Sequence, residues 1–207
     1  MSKRVGQRLF GRASRFAISA HETQRYGRRP YEYHLIQVVL NYPRFRDWSE
    51  VHQHIIDACW LHDYVEDCSQ PSEELVAQVG VEFATADQRD QNLKCLTQMF
   101  GEKAAQVVRA VTNVTDPSTG KGVPNYKLIR ETEGALTVKL CDRIANVENS
   151  VSHDRLGRGP HKFFWRYRDQ YPKFQEELRG RCRGESASEL LMWQHLDKLF
   201  DNTTITK

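Results

Sequence analysis

Residues 49–67 read SEVHQHIIDACWLHDYVED, and their pattern decides which fold we expect. On an α-helix, side chains three and four residues apart share a face, and the apolar residues of this stretch recur at that spacing. Two neighbouring rows result, namely Ile55, Cys59, His62 and Glu66, and beside them Ile56, Trp60, Asp63 and Asp67. The first turns are apolar on most sides, so we predict a buried helix.

The last turns of this helix carry charge where the buried rows continue. One imidazole, His62, stands next to three carboxylates, Asp63, Glu66 and Asp67. Burying unpaired like charges costs several kcal/mol, so the helix either emerges into water after Leu61 or meets a cation. Carboxylates at a helix C-terminus are also disfavoured by the helix dipole, by about 0.3–1 kcal/mol each, which favours the cation. Histidine nitrogen and aspartate oxygen are both ligands of first-row divalent metals.

A second predicted helix, over residues 125–150, divides its surface in the same way. Its apolar row consists of Leu140, Ile144, Val147 and Val151, and its polar row of Lys139, Asp142, Asn146 and Asn149. Because Asp142 lies on the border of the two rows, its carboxylate can turn inward to a metal or pair with a nearby Lys or Arg. The polar row offers one cation and two amides, which suit a phosphate or the edge of a nucleobase.

The rest of the chain predicts an all-α protein. Helical patterns cover residues 8–27, 32–42, 49–67, 72–80, 86–98, 102–113, 125–150, 161–180 and 187–200. No segment shows a sustained period of two, so we expect no sheet, and residues 115–122 are the clearest loop. We expect a compact multi-helix bundle over residues 1–155, with residues 156–207 as a C-terminal helical extension packed on it. Residues 157–160, GRGP, are the candidate boundary.

Composition narrows the class of protein further. A chain of 207 residues and 24.1 kDa fits one ordinary domain, or one domain with a small appendage. No run of residues approaches the ~18 apolar residues of a membrane span, and the N-terminus lacks the apolar stretch of a secretory signal. Five cysteines without a C-x-x-C pair argue against a disulfide scaffold and for a reducing cytoplasm, so we expect a cytoplasmic protein without a membrane partner.

The first fifteen residues are basic and contain no Asp or Glu. Their charges are Lys3, Arg4, Arg8, Arg12 and Arg15, on a chain whose net charge is only +3. A basic arm of this kind could contact nucleic acid. Leu9, Ala13, Phe16, Ala17 and Ala20 alternate with the arginines at helical spacing, however, and this favours a solvated face of an amphipathic helix over a nucleic-acid partner.

Three segments together resemble the HD-domain phosphohydrolases, and most closely the RelA/SpoT-type hydrolase domains and small alarmone hydrolases. Residues 61–67, LHDYVED, resemble the signature LHDxxED, and residues 138–146, VKLCDRIAN, resemble KLxDRLxN. Residues 20–24 and 30–34, AHETQ and PYEYH, resemble the opening AHxGQ…PYxxH. The resemblance covers about residues 17–150. It implies a compact all-helical domain that holds one Mn²⁺ and hydrolyses the 3′-pyrophosphate of guanosine tetraphosphate and pentaphosphate, (p)ppGpp, releasing pyrophosphate.

The resemblance also implies roles for individual residues. The metal ligands would be His34, His62, Asp63 and Asp142. Glu66 and Asp67 would position and deprotonate the attacking water, and Lys139 and Asn146 would line the nucleotide pocket. The loop between Gln24 and Pro30 is one residue shorter than in the family, so the substrate-binding arginine could be Arg25, Arg28 or Arg29. From the charge of the substrate we expect contacts with Arg25 and Arg28 in particular.

Two departures from the family pattern leave the substrate open. Leu35 follows His34 where the family usually has Pro, and Ala145 replaces a common His. One alternative is therefore an HD phosphohydrolase for another small nucleotide, such as NADPH or a deoxynucleotide, with Mn²⁺ or another divalent first-row metal. A second is a metal-binding module without turnover, whose basic N-terminus contacts nucleic acid. The Glu66-Asp67 pair favours the enzyme, since a binding module needs no carboxylate to activate water. The oligomeric state stays open.

Overall fold

Helices make up most of the chain in the computed structural model, which describes residues 8–68, 87–152 and 162–201. The helices within these ranges are α1 (Arg12–Ala20), α2 (Glu32–Arg44), α3 (Gln53–Leu61), α4 (Tyr64–Asp67), α5 (Gln88–Phe100), α6 (Glu102–Val111), α7 (Tyr126–Glu131), α8 (Ala135–Ser152), α9 (Lys162–Leu178) and α10 (Ala187–Asp201). A short 3₁₀ helix spans Trp48–Glu50. The all-α prediction is confirmed. The predicted helix over 72–80, the GRGP boundary, Lys3 and Arg4 lie outside the described residues.

Two short hairpins correct the prediction that the chain has no sheet. β1 (Arg25–Tyr26) pairs with β2 (Arg29–Pro30), and β3 (Val114–Thr115) pairs with β4 (Gly122–Val123), both antiparallel. Each strand has only two residues, which is too short to show an alternating pattern in the sequence. The first hairpin turns at Gly27, whose φ of +63° lies in the left-handed region that glycine adopts without steric penalty. The predicted helix over 8–27 therefore ends at Ala20.

Two other predicted helices are interrupted. The stretch 49–67 forms the 3₁₀ helix, α3 and α4, and the chain turns at His62 and Asp63 between the last two. The stretch 125–150 forms α7 and α8, which are separated at Gly134 with a φ of +83°. The positive φ favours glycine there, and a Cβ atom at this position would lie 2.3 Å from Ile55 Cδ1 on α3, so the end of the Ile55 side chain would have to move.

α8 lies at the centre of the fold and contacts α2, α3, α6, α9 and α10. Its apolar row packs into one hydrophobic core with Ile56 and Trp60 of α3, both fully buried. α9 and α10 contribute Phe164, Phe174, Trp193 and Leu196 to the same core. α1 packs on α3 with Ala13 and Ala17 buried, while its arginines lie at the surface. No helix in the described ranges combines the length and the apolar character that crossing a membrane requires.

A buried polar network ties α10 to the centre of the fold. Glu189, 3% exposed, accepts hydrogen bonds from Arg46 Nη2 at 2.8 Å and from Thr137 Oγ1 at 2.5 Å. It also accepts from the backbone N–H of Ser186 at 2.9 Å and from the Ser186 hydroxyl. The Ser186 and Glu189 pair has the spacing of a capping box, so one carboxylate both begins α10 and joins it to α8.

Candidate metal centre

Three separated segments bring histidine and aspartate side chains to one point. His34 comes from α2, His62 from the end of α3 and Asp142 from α8, and their ligand atoms all lie within 4.8 Å of one another. His34 Nε2 is 3.4 Å from Asp142 Oδ1, and His62 Nε2 is 3.8 Å from the same oxygen. Asp63 joins them, with its Oδ2 2.9 Å from His62 Nε2 and 3.6 Å from His34 Nε2. Two imidazoles and two carboxylates thus face one another.

The main chain fixes the tautomer of His62. Its Nδ1 lies 2.9 Å from the carbonyl oxygen of Cys59, and because a carbonyl can only accept, Nδ1 carries the proton. Nε2 is buried, and among the described residues no group forms a hydrogen bond with it, although Asp63 lies close. When Nδ1 of a neutral imidazole donates to a carbonyl, Nε2 carries the lone pair. Metal-binding histidines show this arrangement.

Two neighbouring aromatic rings fix the orientation of His34. Its ring stacks on Tyr26 with a centroid distance of 4.8 Å and meets the His62 ring edge-on at 5.3 Å. His34 is buried, and within the described part of the chain its Nδ1 has no hydrogen-bond partner. The ring is therefore held between Tyr26 and His62, with Nε2 directed at Asp63 and Asp142.

The charges of the cluster depend strongly on one another. Burial lowers the pKa of His34, but hydrogen bonds and attraction from Asp142 and Asp63 outweigh it and raise the pKa to about 9. The pKa of His62 is also raised, because the charges of Asp63 and Asp142 outweigh burial. Burial raises the pKa of Asp63, but the two imidazoles hold it well below its ordinary value. The half-buried carboxylates thus need positive charge beside them, which a proton or a divalent ion can supply.

Two polar side chains bind the carboxylates, each at the oxygen that also faces the imidazoles. The Tyr31 hydroxyl donates a hydrogen bond to Asp63 Oδ2, and the Tyr31 ring stacks on His21 at 4.8 Å. Asn146 Nδ2 donates to Asp142 Oδ1 at 2.5 Å. Tyr31 stands in the quoted PYEYH segment, but it was assigned no role from the sequence, since a motif residue shows no partner until the chain is folded.

Asn146 and Lys139, the residues expected to line a nucleotide pocket, both contact protein groups. Asn146 bridges Asp142 and the Tyr26 hydroxyl, which donates to Asn146 Oδ1 at 2.8 Å. Lys139 is buried, and its Nζ donates to the carbonyl oxygen of Val111 at 3.3 Å and lies 3.9 Å from Asp142 Oδ2. Both residues therefore lie beside the cluster, and their contact with a nucleotide stays a prediction.

Glu66 and Asp67, the expected catalytic pair, have different surroundings. Glu66 is half-buried and accepts two hydrogen bonds from Asn113, whereas Asp67 is exposed and accepts one from Gln24 Nε2 at 2.7 Å. Burial raises the pKa of Glu66 against the opposing effect of the Asn113 bonds. Asn113 was missed at the level of sequence, because nothing in the local pattern marks a contact between residues 47 positions apart.

The loop between Gln24 and Pro30, which carries three arginines, forms the first hairpin. Arg25, Arg28 and Arg29 are all exposed, and the Arg29 guanidinium lies 4.0 Å from the centroid of the Tyr33 ring. Tyr26, between these arginines, stacks on His34 and binds Asn146, so the hairpin is anchored at the cluster. The arginines thus lie on an element that begins at the candidate metal centre, where they can meet an anionic ligand.

Comparison of the chain with models of known protein families found no match, and comparison with curated proteins found none either. The donor set of the site indicates its chemistry. Two imidazole nitrogens and two carboxylates suit a first-row divalent ion, and the orphaned Nε2 of His62 fits that ion. Such a site can neutralise phosphate oxygens and activate water.

Proposed function

We propose that the protein is a metal-dependent phosphohydrolase that removes the 3′-pyrophosphate of guanosine tetraphosphate and pentaphosphate. The observation that carries the proposal is the convergence of His34, His62, Asp63 and Asp142 from distant parts of the chain. The three ordered motifs that resemble alarmone hydrolases support the choice of substrate. Mn²⁺ is the metal that we propose, and the cytoplasmic location expected from the sequence stays a prediction.

The residues around the cluster have complementary tasks in this reaction. A bound Mn²⁺ would neutralise phosphate charge and acidify water. The carbonyl of Cys59 orients His62, while Tyr31 and Asn146 orient the two aspartates that would hold the ion. Hydrolysis breaks the bond between the 3′ oxygen and phosphorus, so a base must take a proton from water and the 3′ oxygen must gain one. Glu66 or Asp67 is the proposed base.

The charge of the substrate explains the cations near the site. A guanosine with pyrophosphates at both the 5′ and 3′ positions brings about five to six negative charges towards a cluster that already contains carboxylates. One divalent ion leaves most of this charge without a partner. Lys139 lies 3.9 Å from Asp142, and Arg25 and Arg28 project from the hairpin whose Tyr26 stacks on His34. These three side chains are the proposed partners of the phosphates.

The test is hydrolysis by metal-stripped protein that is reloaded with Mn²⁺. The panel contains guanosine tetraphosphate, guanosine pentaphosphate, NADPH and deoxynucleotides, and the products are separated by ion-exchange chromatography. We expect pyrophosphate with GDP or GTP from the first two, and no product before Mn²⁺ is added. His62→Ala should abolish turnover, whereas His54→Ala, which changes a histidine near the start of α3, should leave it intact.

The same panel separates the alternatives. Turnover of only NADPH or a deoxynucleotide would keep the phosphohydrolase and exclude the alarmone substrate. Stoichiometric metal without turnover of any compound would contradict the enzyme and favour a binding module. In that case, binding of a labelled oligonucleotide that is lost in Arg12→Ala would indicate the basic N-terminal surface, where Arg12 is exposed.

A further inference from the structure

One residue, Asn113, binds both carboxylate oxygens of Glu66. The backbone N–H of Asn113 donates to Glu66 Oε1 at 2.6 Å, and its side-chain amide Nδ2 donates to Glu66 Oε2 at 2.9 Å. A carboxylate that is bound at both oxygens by one residue cannot rotate without losing a hydrogen bond to a charged acceptor. The orientation of Glu66 is therefore set by Asn113 and not by α4 alone, which has only four residues.

Asn113 is itself fixed on both sides. It follows Thr112, whose backbone N–H and hydroxyl bind the carbonyl oxygen of Val108 at 3.0 Å and 2.8 Å at the end of α6. Its own carbonyl oxygen accepts a hydrogen bond from Arg89 Nη1 at 3.2 Å. The peptide groups around Asn113 are thus held by the end of α6 and by α5, so the donor groups that face Glu66 are preorganised.

The end of α6 organises two charged side chains at once. The carbonyl oxygen of Val111 accepts from Lys139, and two residues later Asn113 donates to Glu66. The backbone N–H of Glu66 donates to the carbonyl oxygen of Asp63 at 3.1 Å, so Glu66 lies within one helical turn of a candidate metal ligand. A residue that fixes Glu66 consequently fixes a base beside this centre.

We propose that Asn113 is a positioning residue, which holds the Glu66 carboxylate in the orientation that accepts the proton of the attacking water. This inference rests on the proposed function, because it assigns Asn113 a task in that reaction. An amide suits the position because it donates to the carboxylate, whereas an aspartate at the same position would set one carboxylate against another. Asn113 acts through Glu66 and needs no contact with the substrate.

The contact itself is tested by exchanging donor and acceptor. Asn113→Asp should lower the Tm by about 2–4 °C or more, because two carboxylates then face each other. The double variant Asn113→Asp/Glu66→Gln should regain most of that loss. The amide introduced at position 66 can donate to the carboxylate introduced at position 113, while the backbone N–H at position 113 still binds the amide oxygen. Thermal unfolding of the metal-free proteins measures this without any turnover. The contact would be overturned if the decreases in Tm of Asn113→Asp and Glu66→Gln simply add in the double variant.

The catalytic task is tested by kinetics in two backgrounds. Asn113→Ala should lower kcat by about tenfold or more and leave KM and the Mn²⁺ content unchanged, because only the base loses its orientation. In a Glu66→Gln background the same change should have no further effect on kcat. Asn125→Ala is the matched control, since it removes an asparagine side chain that caps α7 through Leu128, away from Glu66.

Two results separate the failure of this inference from failure of the proposed function. A wild-type protein that turns over the alarmones while Asn113→Ala keeps its full kcat would overturn only the role of Asn113. The same conclusion follows if Asn113→Ala lowers kcat equally in the wild-type and Glu66→Gln backgrounds. A wild-type protein without turnover of any compound would contradict the proposed function, and with it the catalytic role of Asn113.

Discussion

His62 Nδ1 lies 2.9 Å from the carbonyl oxygen of Cys59, and this contact decides what the other ring nitrogen can do. Because Nδ1 must donate, a neutral ring carries its lone pair on Nε2, which faces Asp63 at 2.9 Å and Asp142 at 3.8 Å. A lone pair against carboxylate oxygens is repulsive. The site therefore requires a positive charge between these groups, which is either a proton on the ring or a metal ion.

Removing the His62 ring should abolish stoichiometric metal binding. His62→Ala takes away one ligand and one of the two imidazoles that face Asp63 and Asp142, so we expect Mn²⁺ affinity to fall by roughly 100-fold or more. Metal analysis of the purified protein and calorimetric titration measure it. His54→Ala on the same helix is the control and should bind normally. Full metal occupancy in both His62→Ala and Asp63→Ala would refute this ligand set.

The hydroxyl of Tyr31 should strengthen metal binding without touching the ion. Tyr31→Phe keeps the ring that stacks on His21 and removes only the hydrogen bond to Asp63. Loss of such a supporting contact typically weakens metal binding by about 10–100-fold, and we expect that range for Mn²⁺. Tyr42→Phe is the control, because its hydroxyl binds the backbone N–H of His52 at 3.0 Å, outside the cluster. Equal Mn²⁺ affinity in the two variants would contradict the role of Tyr31.

Metal affinity should rise with pH. In the metal-free protein the pKa of His34 is raised from 6.5 to about 9 by Asp142 and Asp63 against the effect of burial, so a proton competes with the metal throughout neutral pH. We expect the Kd for Mn²⁺ to decrease from pH 6.5 to pH 8.5, by up to about tenfold per pH unit for each proton released. A Kd that is independent of pH would show that the imidazoles are unprotonated before the ion arrives.

The same shift gives an opposite trend for metal-free stability. A group whose pKa is raised on folding contributes stability that is complete below its unfolded pKa of 6.5 and is lost as the pH rises through its folded pKa, here about 9. The Tm in the presence of a chelator should therefore fall between pH 7 and pH 9. The increase in Tm caused by saturating Mn²⁺ should grow over the same interval, because the ion replaces the lost protons.

Local pattern located the helices but not their ends or the contacts between them. Ile56, Cys59 and Trp60 are fully buried, as the helical rows of residues 49–67 predict. The interruption at Gly134 was missed, because the apolar rows continue across this glycine, whose φ of +83° ends the helical conformation. The hairpins were missed for a different reason, since two-residue strands have no measurable period.

For the candidate site, too, the sequence predicted the ligand residues but not the contacts around them. His34, His62 and Asp142 were grouped through the order of motifs, and the structure places their ligand atoms within 4.8 Å. The hydrogen bonds around the site were not predicted, because one such as that between Asn113 and Glu66 joins side chains 47 positions apart. Such a contact depends on how α4 and the end of α6 approach, and this is a property of tertiary packing.

The arginines of the first hairpin should govern substrate affinity more than turnover. Arg25 and Arg28 are exposed on the hairpin that is anchored at His34 and Asn146, so each can form a charge-assisted hydrogen bond to phosphate worth roughly 1.5–3 kcal/mol. Arg25→Ala and Arg28→Ala should raise KM for guanosine tetraphosphate, at least one of them by about tenfold, with unchanged metal content. The KM of wild type should rise with salt, and less so in the variants.

Arg15→Ala provides the matched control for this experiment, because Arg15 is also exposed but lies on α1. A similar rise in KM for all three variants would indicate a general effect of charge on the approach of the substrate. An unchanged KM in both hairpin variants would contradict the proposed alarmone substrate and leave the broader phosphohydrolase.

Glu189 should stabilise the fold far more than a surface ion pair of the same length. Arg46 Nη2 lies 2.8 Å from Glu189, and Arg130 Nη1 lies 2.7 Å from Glu177, but the first pair has side chains 8% and 4% exposed and the second 31% each. Glu189→Gln leaves a buried arginine without its counter-charge, and we expect the free energy of unfolding to fall by about 3–5 kcal/mol. Glu177→Gln should cost at most about 1 kcal/mol, because water already screens that pair.

The pH dependence of unfolding supplies an independent check on Glu189. Burial raises its pKa, but hydrogen bonds from Ser186, Thr137 and Arg46 outweigh this and lower it, so the carboxylate contributes stability above its unfolded pKa. That contribution is lost as the pH falls through the folded pKa. Between pH 5 and pH 3, the Tm of wild type should therefore fall more steeply than that of Glu189→Gln, whose amide does not titrate, because the unfolded pKa is 4.5. Parallel curves for the two proteins would show that the network of α10 does not depend on this charge.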